Sequence, residues 1–327
     1  MHDERPFMTY HRQLVSPIVA RPYAGAGDLR HMQAVVARAF TTTSLHVGDL
    51  SWLARHSTQR EFSLYIRLWE DGARLIGWTF SRPNGGFNAF VVPGCADDGL
   101  LDEMLAVVDD GATAAVSAGD PPVDLYTYEI DVSRSVEDRS LAAALERHGF
   151  TPQPNPGGVL TRTLDALPPA IAPPGYQLGE VHSPEHVMGR IETHRLAFPP
   201  SELTFEKYQR VRRTWPYRQQ LDRVAVYDDG SVAAFCTAWL DAENGVGLLE
   251  PVGTHPAHRR RGLARAVCLD AFRVLRDAGA RTVHVGFSTE GALATYQSLG
   301  CGRLWLDTVF RRAQAPTTER PIEVAVI

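Results

Sequence analysis

The sequence predicts an α+β protein with mixed sheets, built as two copies of one fold in tandem. A length of 327 residues is too great for one ordinary domain and suits two of roughly 160 each. The order of strand, helix and turn signals in the first half returns after a proline-rich stretch, and landmark residues of the two halves keep a nearly constant offset. Asp71-Gly72 and Asp229-Gly230 lie 158 positions apart, Pro93 and Pro256 163, and Gly149 and Gly300 151. Drifts of this size are what changes in loop length produce.

In the first half, residues 1–20 carry little pattern and read as a partly ordered arm. Arg21-Pro22-Tyr23 reads as a strand, and an Ala/Val-rich helix runs from Gly27 to Phe40 with Asp28 as its N-cap. Phe62 to Trp69 and Leu75 to Ser81 flank the Asp71-Gly72 turn, a strong hairpin signal because a D-G pair between apolar runs favours the tight turn such hairpins need. Phe87 to Val92 is a further strand, Leu100 to Val108 a helix, Val123 to Ile130 an alternating strand, and Leu141 to Arg147 a helix stopped by Gly149. Pro152 to Gly158 reads as a loop. Pro168 to Gly175 has the composition of a stiff linker, which divides the chain into a first domain over 1–167, a linker over 168–175 and a second domain over 176–327.

The second half repeats the scheme. Tyr176 to Val181 is a strand, Ser183-Pro184-Glu185 opens a helix that reaches about Leu196, and Phe205 to Arg213 is a helix. Arg223 to Tyr227 and Val232 to Leu240 flank Asp229-Gly230 as a second hairpin. Leu248 to Thr254 is an apolar strand, and from Leu263 the apolar residues Val267, Ala271, Val274, Leu275 and Ala278 recur at helical spacing until Gly279. Thr282 to Phe287 is a strand and Ala292 to Gly300 a short helix and turn.

Composition narrows the function. Hydrophobic residues make up 44% and charged residues 22%, ordinary for a soluble globular protein. A net charge of −5 and a pI near 6.2 argue against a nucleic-acid surface, which needs a broad basic face. The N-terminus lacks an apolar signal core and no run of apolar residues is long enough to span a bilayer, so a cytoplasmic protein that touches no membrane is expected. Cys95, Cys236, Cys268 and Cys301 show no metal-ligand or redox spacing and read as buried thiols, with no metal expected.

The chemistry concentrates in Arg259-Arg260-Arg261-Gly262-Leu263-Ala264. Three arginines and a glycine precede a helix whose first N–H groups and positive dipole end face an anion, an arrangement suited to a pyrophosphate. A solvated basic helix start is the plainer reading of the same residues. Pro251 inside the preceding strand marks an edge or bulge that re-aims neighbouring N–H groups.

This loop, with its flanking strands and the Ala292-Leu-Ala-Thr-Tyr296-Gln-Ser-Leu-Gly300 segment, resembles the GNAT acetyltransferase family, with its R/Q-x-x-G-x-G/A and A-x-x-x-Y-x-x-x-G-F signatures. The resemblance covers Tyr176 to about Arg312 well and Arg21 to Leu164 in outline, a layout similar to two-domain members such as mycothiol synthase. It implies acetyl-CoA bound by Arg259, Arg260, Arg261, Gly262, Leu263 and Ala264, with Val252, Gly253 and Thr254 along the pantetheine arm. Thr289 stands where many members carry Asn at a cofactor contact, and Cys301 replaces the usual Phe. Tyr296 takes the position of the general acid, and Glu250 lies near where some members carry a general base.

Aligning Pro93 with Pro256 sets Ala96-Asp97-Asp98-Gly99 against the arginine loop, and Leu145 falls where Tyr296 stands. Two carboxylates repel a pyrophosphate, so the N-terminal copy reads as degenerate. The activity implied is acetyl transfer from acetyl-CoA to a small amine in the second domain of a monomer. A CoA-sensing or scaffold protein without catalysis is the alternative, together with a tRNA-dependent aminoacyl transferase, which the acidic pI and intact arginine loop disfavour. Glu250 and Asp241, with Trp215, Tyr217 and Trp239 as aromatic walls, suggest a cationic acceptor.

Overall fold

A computed structural model of the chain describes residues 17–40, 43, 45–56, 66–82, 84–117, 122–127, 130, 135–154 and 157–313. Most of the expected N-terminal arm, and the start of the strand expected from Phe62, lie outside the described residues. The first half contributes β1 (Ile18–Pro22), α1 (Ala26–Arg38), α2 (Val47–Leu53), β2 (Ile66–Asp71), β3 (Arg74–Ser81), β4 (Gly86–Val91), α3 (Asp98–Ser117), β5 (Leu125–Thr127), α4 (Val136–Arg147) and β6 (Thr151–Gln153). Next come β7 (Gly158–Thr163), β8 (Tyr176–Glu180), α5 (Pro184–Ala197), α6 (Phe205–Arg212), β9 (Asp222–Tyr227), β10 (Val232–Asp241) and β11 (Val246–Thr254). The chain closes with α7 (Leu263–Asp277), β12 (Thr282–Phe287), α8 (Glu290–Ser298), β13 (Gly302–Leu306) and β14 (Val309–Arg312).

These strands form two mixed sheets of seven. The first runs β1-β2-β3-β4-β5-β14-β6 and the second β13-β7-β12-β11-β10-β9-β8. Each therefore contains one strand from the far side of the expected linker. β7, which precedes residues 168–175, sits between β12 and β13, pairing Thr163 with Thr282 and Gly158 with Phe287. β14, near the end of the described chain, returns to the first sheet between β5 and β6, pairing Arg311 with Tyr126 and Phe310 with Pro152.

Local chemistry accounts for most of the elements. Ser183 caps α5, its hydroxyl accepting from the His186 N–H at 3.2 Å. Gly230 takes φ 87° in the turn between β9 and β10, where a side chain would be strained. Asp28 is not the expected N-cap. Helix α1 begins at Ala26 behind Gly25, and Asp28 in its first turn instead takes both guanidinium nitrogens of Arg21 at 2.8 Å, an ion pair that Glu70 shares. That pairing holds the Asp28 carboxyl below its ordinary pKa.

Strand β10 is buried along its whole length. On one face the second sheet packs α7 through Val267, Cys268, Ala271, Phe272 and Leu275; on the other it packs α5 and α6 through Val187, Ile191, Tyr208 and Val211. The Val, Leu, Ile and Phe side chains among them contribute about 1.5–3 kcal/mol each by leaving water. The first half docks on this second face. An added Cβ on Gly48 in α2 would stand 2.4 Å from Trp239, and Trp52 joins the α5–α6 cluster. His46 closes the joint: its Nδ1 accepts the Gly48 N–H at 3.0 Å, which leaves Nε2 to donate to the Val246 carbonyl at 3.2 Å.

Candidate active site

The parallel pairing of β11 with β12 runs from Val246–Thr282 to Leu249–Val285 and stops there. Beyond it β11 continues to Thr254, paired only with β10, while β12 continues to Phe287, paired only with β7. The two strands splay, and the β12-facing backbone edge of residues 250–254 is left without a strand partner. A bulge accompanies the splay, since β10 advances two positions from Cys236 to Ala238 while β11 advances three from Val252 back to Leu249. Pro251 lies inside that bulge, as its missing N–H predicts. The Trp239 indole fixes it by donating to the Glu250 carbonyl at 2.6 Å.

The arginine loop lies where β11 ends. Residues 259–262 are exposed, Arg260 adopts φ 61° and Gly262 φ 78°, and no side chain caps the start of α7. A Cβ at Gly262 would meet nothing within 4 Å, so the glycine is required by the left-handed backbone rather than by crowding. Leu263 is buried and Ala264 half-buried beneath the free N–H groups. The three arginines are not equivalent: Arg261 donates to the Tyr176 hydroxyl at 3.0 Å, and that hydroxyl also meets His258 Nδ1 at 2.8 Å. Desolvation, His255 and Arg261 together lower the His258 pKa.

The corresponding turn of the first half differs in kind. Asp97 Oδ1 accepts the Leu100 N–H at 2.9 Å, so the protein's own carboxylate caps the start of α3, and Asp98 pairs with Arg147 at 3.0 Å. Leu145 is fully buried in the apolar core of that half.

Tyr296 lies on the α7 face of the second sheet, in the core that also holds Cys236, Cys268 and Cys301. Burial, and then the neighbouring thiols, push its phenol well above the ordinary value, so it stays protonated at neutral pH. Burial likewise pushes Cys301 up to about 12. Glu250 lies in the bulge, between Leu249 and Val252, which both pack on the α7 side of the sheet. Among the described residues its carboxylate has no hydrogen-bond or ion-pair partner. Past Glu250, Val252 and Thr254 are half-buried and Gly253 is buried along the unpaired edge. Thr289 caps α8 by accepting the Ala292 N–H at 3.2 Å.

The expected aromatic and acidic walls are dispersed. Asp241 sits at the far tip of the β10–β11 hairpin, where its carboxylate takes the N–H groups of Glu243 and Asn244 and the Asn244 side chain at 2.7–3.2 Å. Trp239 is fully buried. Tyr217 donates to Asp222 at 3.1 Å within a buried network that includes Tyr208, Thr237 and Arg190. Trp215 carries the Arg30 guanidinium 3.8 Å above its ring, and its carbonyl is held by Gln33 and Ser51. Of this group Glu250 lies at the splay and Trp239 touches it through the bond to the Glu250 carbonyl, with the Tyr217 ring 6.2 Å from that of Trp239.

Sequence reading passed over the buried cluster beneath it. The guanidinium of Arg190 lies 4.2 Å from the Phe235 ring centroid and 4.7 Å from that of Tyr208, and His194 stands one helical turn on. Desolvation, with Arg190 and Arg55, lowers the His194 pKa to about 2. Phe235 in turn abuts Gly253, where a Cβ would come within 2.5 Å of its ring. The only signal in the sequence was the i, i+4 spacing of Arg190 and His194 on an otherwise apolar helix face.

Residues 190–301 match the acetyltransferase (GNAT) family. No curated protein matches the sequence. Among solved structures, a GCN5-related N-acetyltransferase from Sphaerobacter thermophilus is 20% identical, with 91% of this chain and 96% of that chain covered at a TM-score of 0.61. A tandem GNAT protein from the clavulanic acid biosynthesis pathway is 16% identical, with 92% and 100% covered at 0.61. Saccharomyces cerevisiae N-myristoyltransferase is 12% identical, with 92% and 80% covered at 0.57. The two seven-stranded sheets are two tandem GNAT folds.

Proposed function

We propose that this tandem GNAT-fold chain is an acyl-CoA-dependent N-acetyltransferase, acting on a small amine in the splay of its second sheet. The observation that carries this reading is the unpaired edge of residues 250–254 ending beside an uncapped helix start with three exposed arginines. A thioester arm takes backbone hydrogen bonds along such an edge, and its phosphates meet N–H groups and guanidinium charge at the loop.

In this reading the amine approaches from the Glu250 side. Its nitrogen bonds to the acetyl carbon, the carbon–sulfur bond breaks, Glu250 takes the proton leaving the nitrogen directly or through a water, and the Tyr296 hydroxyl supplies a proton to the sulfur. N–H groups of Val252 to Thr254 carry the negative charge that develops on the acetyl oxygen. Tyr296 holds its proton throughout the neutral range, so the donor form is present, and the burial that raises its pKa also makes it a weaker acid.

The first half serves as the wall behind α5 and α6 and binds no CoA, since Asp97 already occupies its helix start. Supplying purified protein with acetyl-CoA and a library of amines, while following free thiol, tests the proposal. Amine-dependent thiol release supports it. Tight CoA binding with no release for any amine would favour a sensor instead.

A further inference from the structure

Strand β11 pairs with β10 in two registers. Before the bulge Val246 faces Asp241 and Leu249 faces Ala238; after it Val252 faces Cys236 and Thr254 faces Ala234. The second register decides which amides reach the splay. His255 donates its N–H to the Ala233 carbonyl at 2.9 Å, so by alternation Gly253 also turns toward β10, and the N–H groups of Val252 and Thr254 turn toward the unpaired edge. Had the first register continued, Val252 would stand opposite Phe235 and bond to it, leaving Pro251 and Gly253 at that edge, and Pro251 has no N–H.

The bulge is held from both strands. On β10, Thr237 stands opposite Glu250 and Pro251; its hydroxyl accepts from Arg190 Nη2 at 2.9 Å and donates to Asp222 at 2.9 Å, within the buried network that Tyr208 and Tyr217 complete. On β11, the Glu250 carbonyl accepts the Trp239 indole N–H at 2.6 Å. Trp239 is itself wedged. It is fully buried, the Tyr217 ring meets it edge-on at 6.2 Å, and Gly48 brings α2 of the first half so close that a Cβ there would stand 2.4 Å from the indole.

We infer that Trp239 is a positioning residue: its indole N–H pins the Glu250 carbonyl and so fixes the register in which Val252 and Thr254 present their N–H groups to a thioester arm, while α2 of the first half, through Gly48, keeps the indole seated. The inference rests on the acyl-CoA reading above and gives the first half a part in a site it does not contain. Its consequence is selective. Loss of the indole N–H frees the bulge and the edge beyond it, whereas the arginine loop stays tied to β8 through Arg261 and Tyr176. The arm and the phosphates of one ligand should therefore respond differently.

The test titrates acetyl-CoA and 3′-phospho-ADP, which carries the phosphates without the arm, calorimetrically into the natural chain and into Trp239→3-benzothienylalanine, an isostere with sulfur in place of the N–H. We expect acetyl-CoA affinity to fall at least tenfold in the isostere while 3′-phospho-ADP affinity stays within about twofold. Trp239→5-fluorotryptophan, which keeps the N–H, should restore acetyl-CoA affinity. Gly48→Ala, titrated below its melting temperature, should show the same split, since its Cβ must displace the indole. Unchanged acetyl-CoA affinity in the isostere, or an equal loss of both ligands, overturns the inference and leaves the acyl-CoA reading standing. Natural affinity for acetyl-CoA in Gly48→Ala overturns the part given to the first half. A natural chain that binds neither ligand overturns the acyl-CoA reading, and the inference with it.

Discussion

Arg261 donates to the hydroxyl of Tyr176, 3.0 Å away, and so ties the loop before α7 to the edge strand β8 of its own sheet. One of the three loop arginines is therefore partly a brace, and Arg259 and Arg260 are left to meet an anion directly. Charge-assisted hydrogen bonds of this kind contribute about 1.5–3 kcal/mol each, discounted here because the loop is exposed. Arg259→Ala combined with Arg261→Ala is expected to weaken CoA binding at least tenfold by calorimetric titration. Tyr176→Phe should have a smaller effect, acting only through the loop positions of Arg261 and His258. Wild-type affinity in the double variant would remove the loop from the site.

The stoichiometry of that titration carries its own expectation. Asp97 caps α3 where α7 has no cap, so one CoA should bind per chain. Replacing Asp97 with Asn keeps the cap and removes the charge. If a second CoA then binds, electrostatic exclusion is the reason the first half is silent; if wild type already binds two, the first half has been misjudged.

Tyr296→Phe removes a hydroxyl and almost no volume. Turnover should fall by roughly 10²–10⁴, the range for a positioned proton donor, with CoA affinity and melting temperature nearly unchanged. Because burial raises the phenol pKa, the wild-type rate should show no basic limb from Tyr296 below about pH 10. Unchanged turnover would reduce Tyr296 to a packing residue.

His46 and His194 make folding stability sensitive to acid. Burial lowers their folded pKa values to about 4 and about 2, while the unfolded imidazoles remain near 6.5. Their neutral forms are favoured in the fold, so the stability they contribute is complete above pH 6.5. It is lost as pH falls from 6.5 toward about 4 for His46 and about 2 for His194. Moving from pH 7.5 to 5.5 should cost on the order of 1 kcal/mol for each, read from urea midpoints. His194→Gln should flatten that dependence, and an equally steep pH profile in the variant would show that other groups carry it.

Gly48 and Gly253 are expected to resist substitution for a shared reason. An alanine Cβ would fall 2.4 Å from the Trp239 side chain in one case and 2.5 Å from the Phe235 ring in the other. Overpacking of this kind costs about 1–3 kcal/mol. Phe235→Leu should relieve Gly253→Ala but not Gly48→Ala, a difference that paired denaturation curves resolve.

Much of this was legible in the sequence because local chemistry decided it. The Asp229-Gly230 turn, the Ser183 cap and the helical stripe from Leu263 are set by residues adjacent in the chain, and the arginine loop follows from its place between strand and helix. What was not legible is non-local. Between the Pro152 to Gly158 loop and the linker no element is expected, and pairing with β12 and β13 makes Gly158–Thr163 a strand. Of the alternating stretch Val123 to Ile130, Leu125–Thr127 form a strand between β4 and β14 and Ile130 bridges Thr308, while residues 128 and 129 lie outside the described residues. Trp239 and Asp241 suggested a pocket through their residue types. Burial commits Trp239 to bracing the Glu250 carbonyl and turn geometry commits Asp241 to the hairpin tip, neither of which periodicity encodes.

The strands that trade places give the molecule an unusual mechanics. A cut within the linker frees no module, for each half would have to surrender a strand from inside its own sheet before the pieces could drift apart. Shortening the chain by the few residues from Val309 onward would wound the half that begins three hundred positions earlier, not the half that is shortened. Expressing residues 176–327 alone would leave β12 beside an open seam where Gly158 to Thr163 should run, one strand over from the candidate site. Proteolysis at the linker, followed by native gel electrophoresis, should therefore yield a nicked particle that migrates whole and keeps its activity.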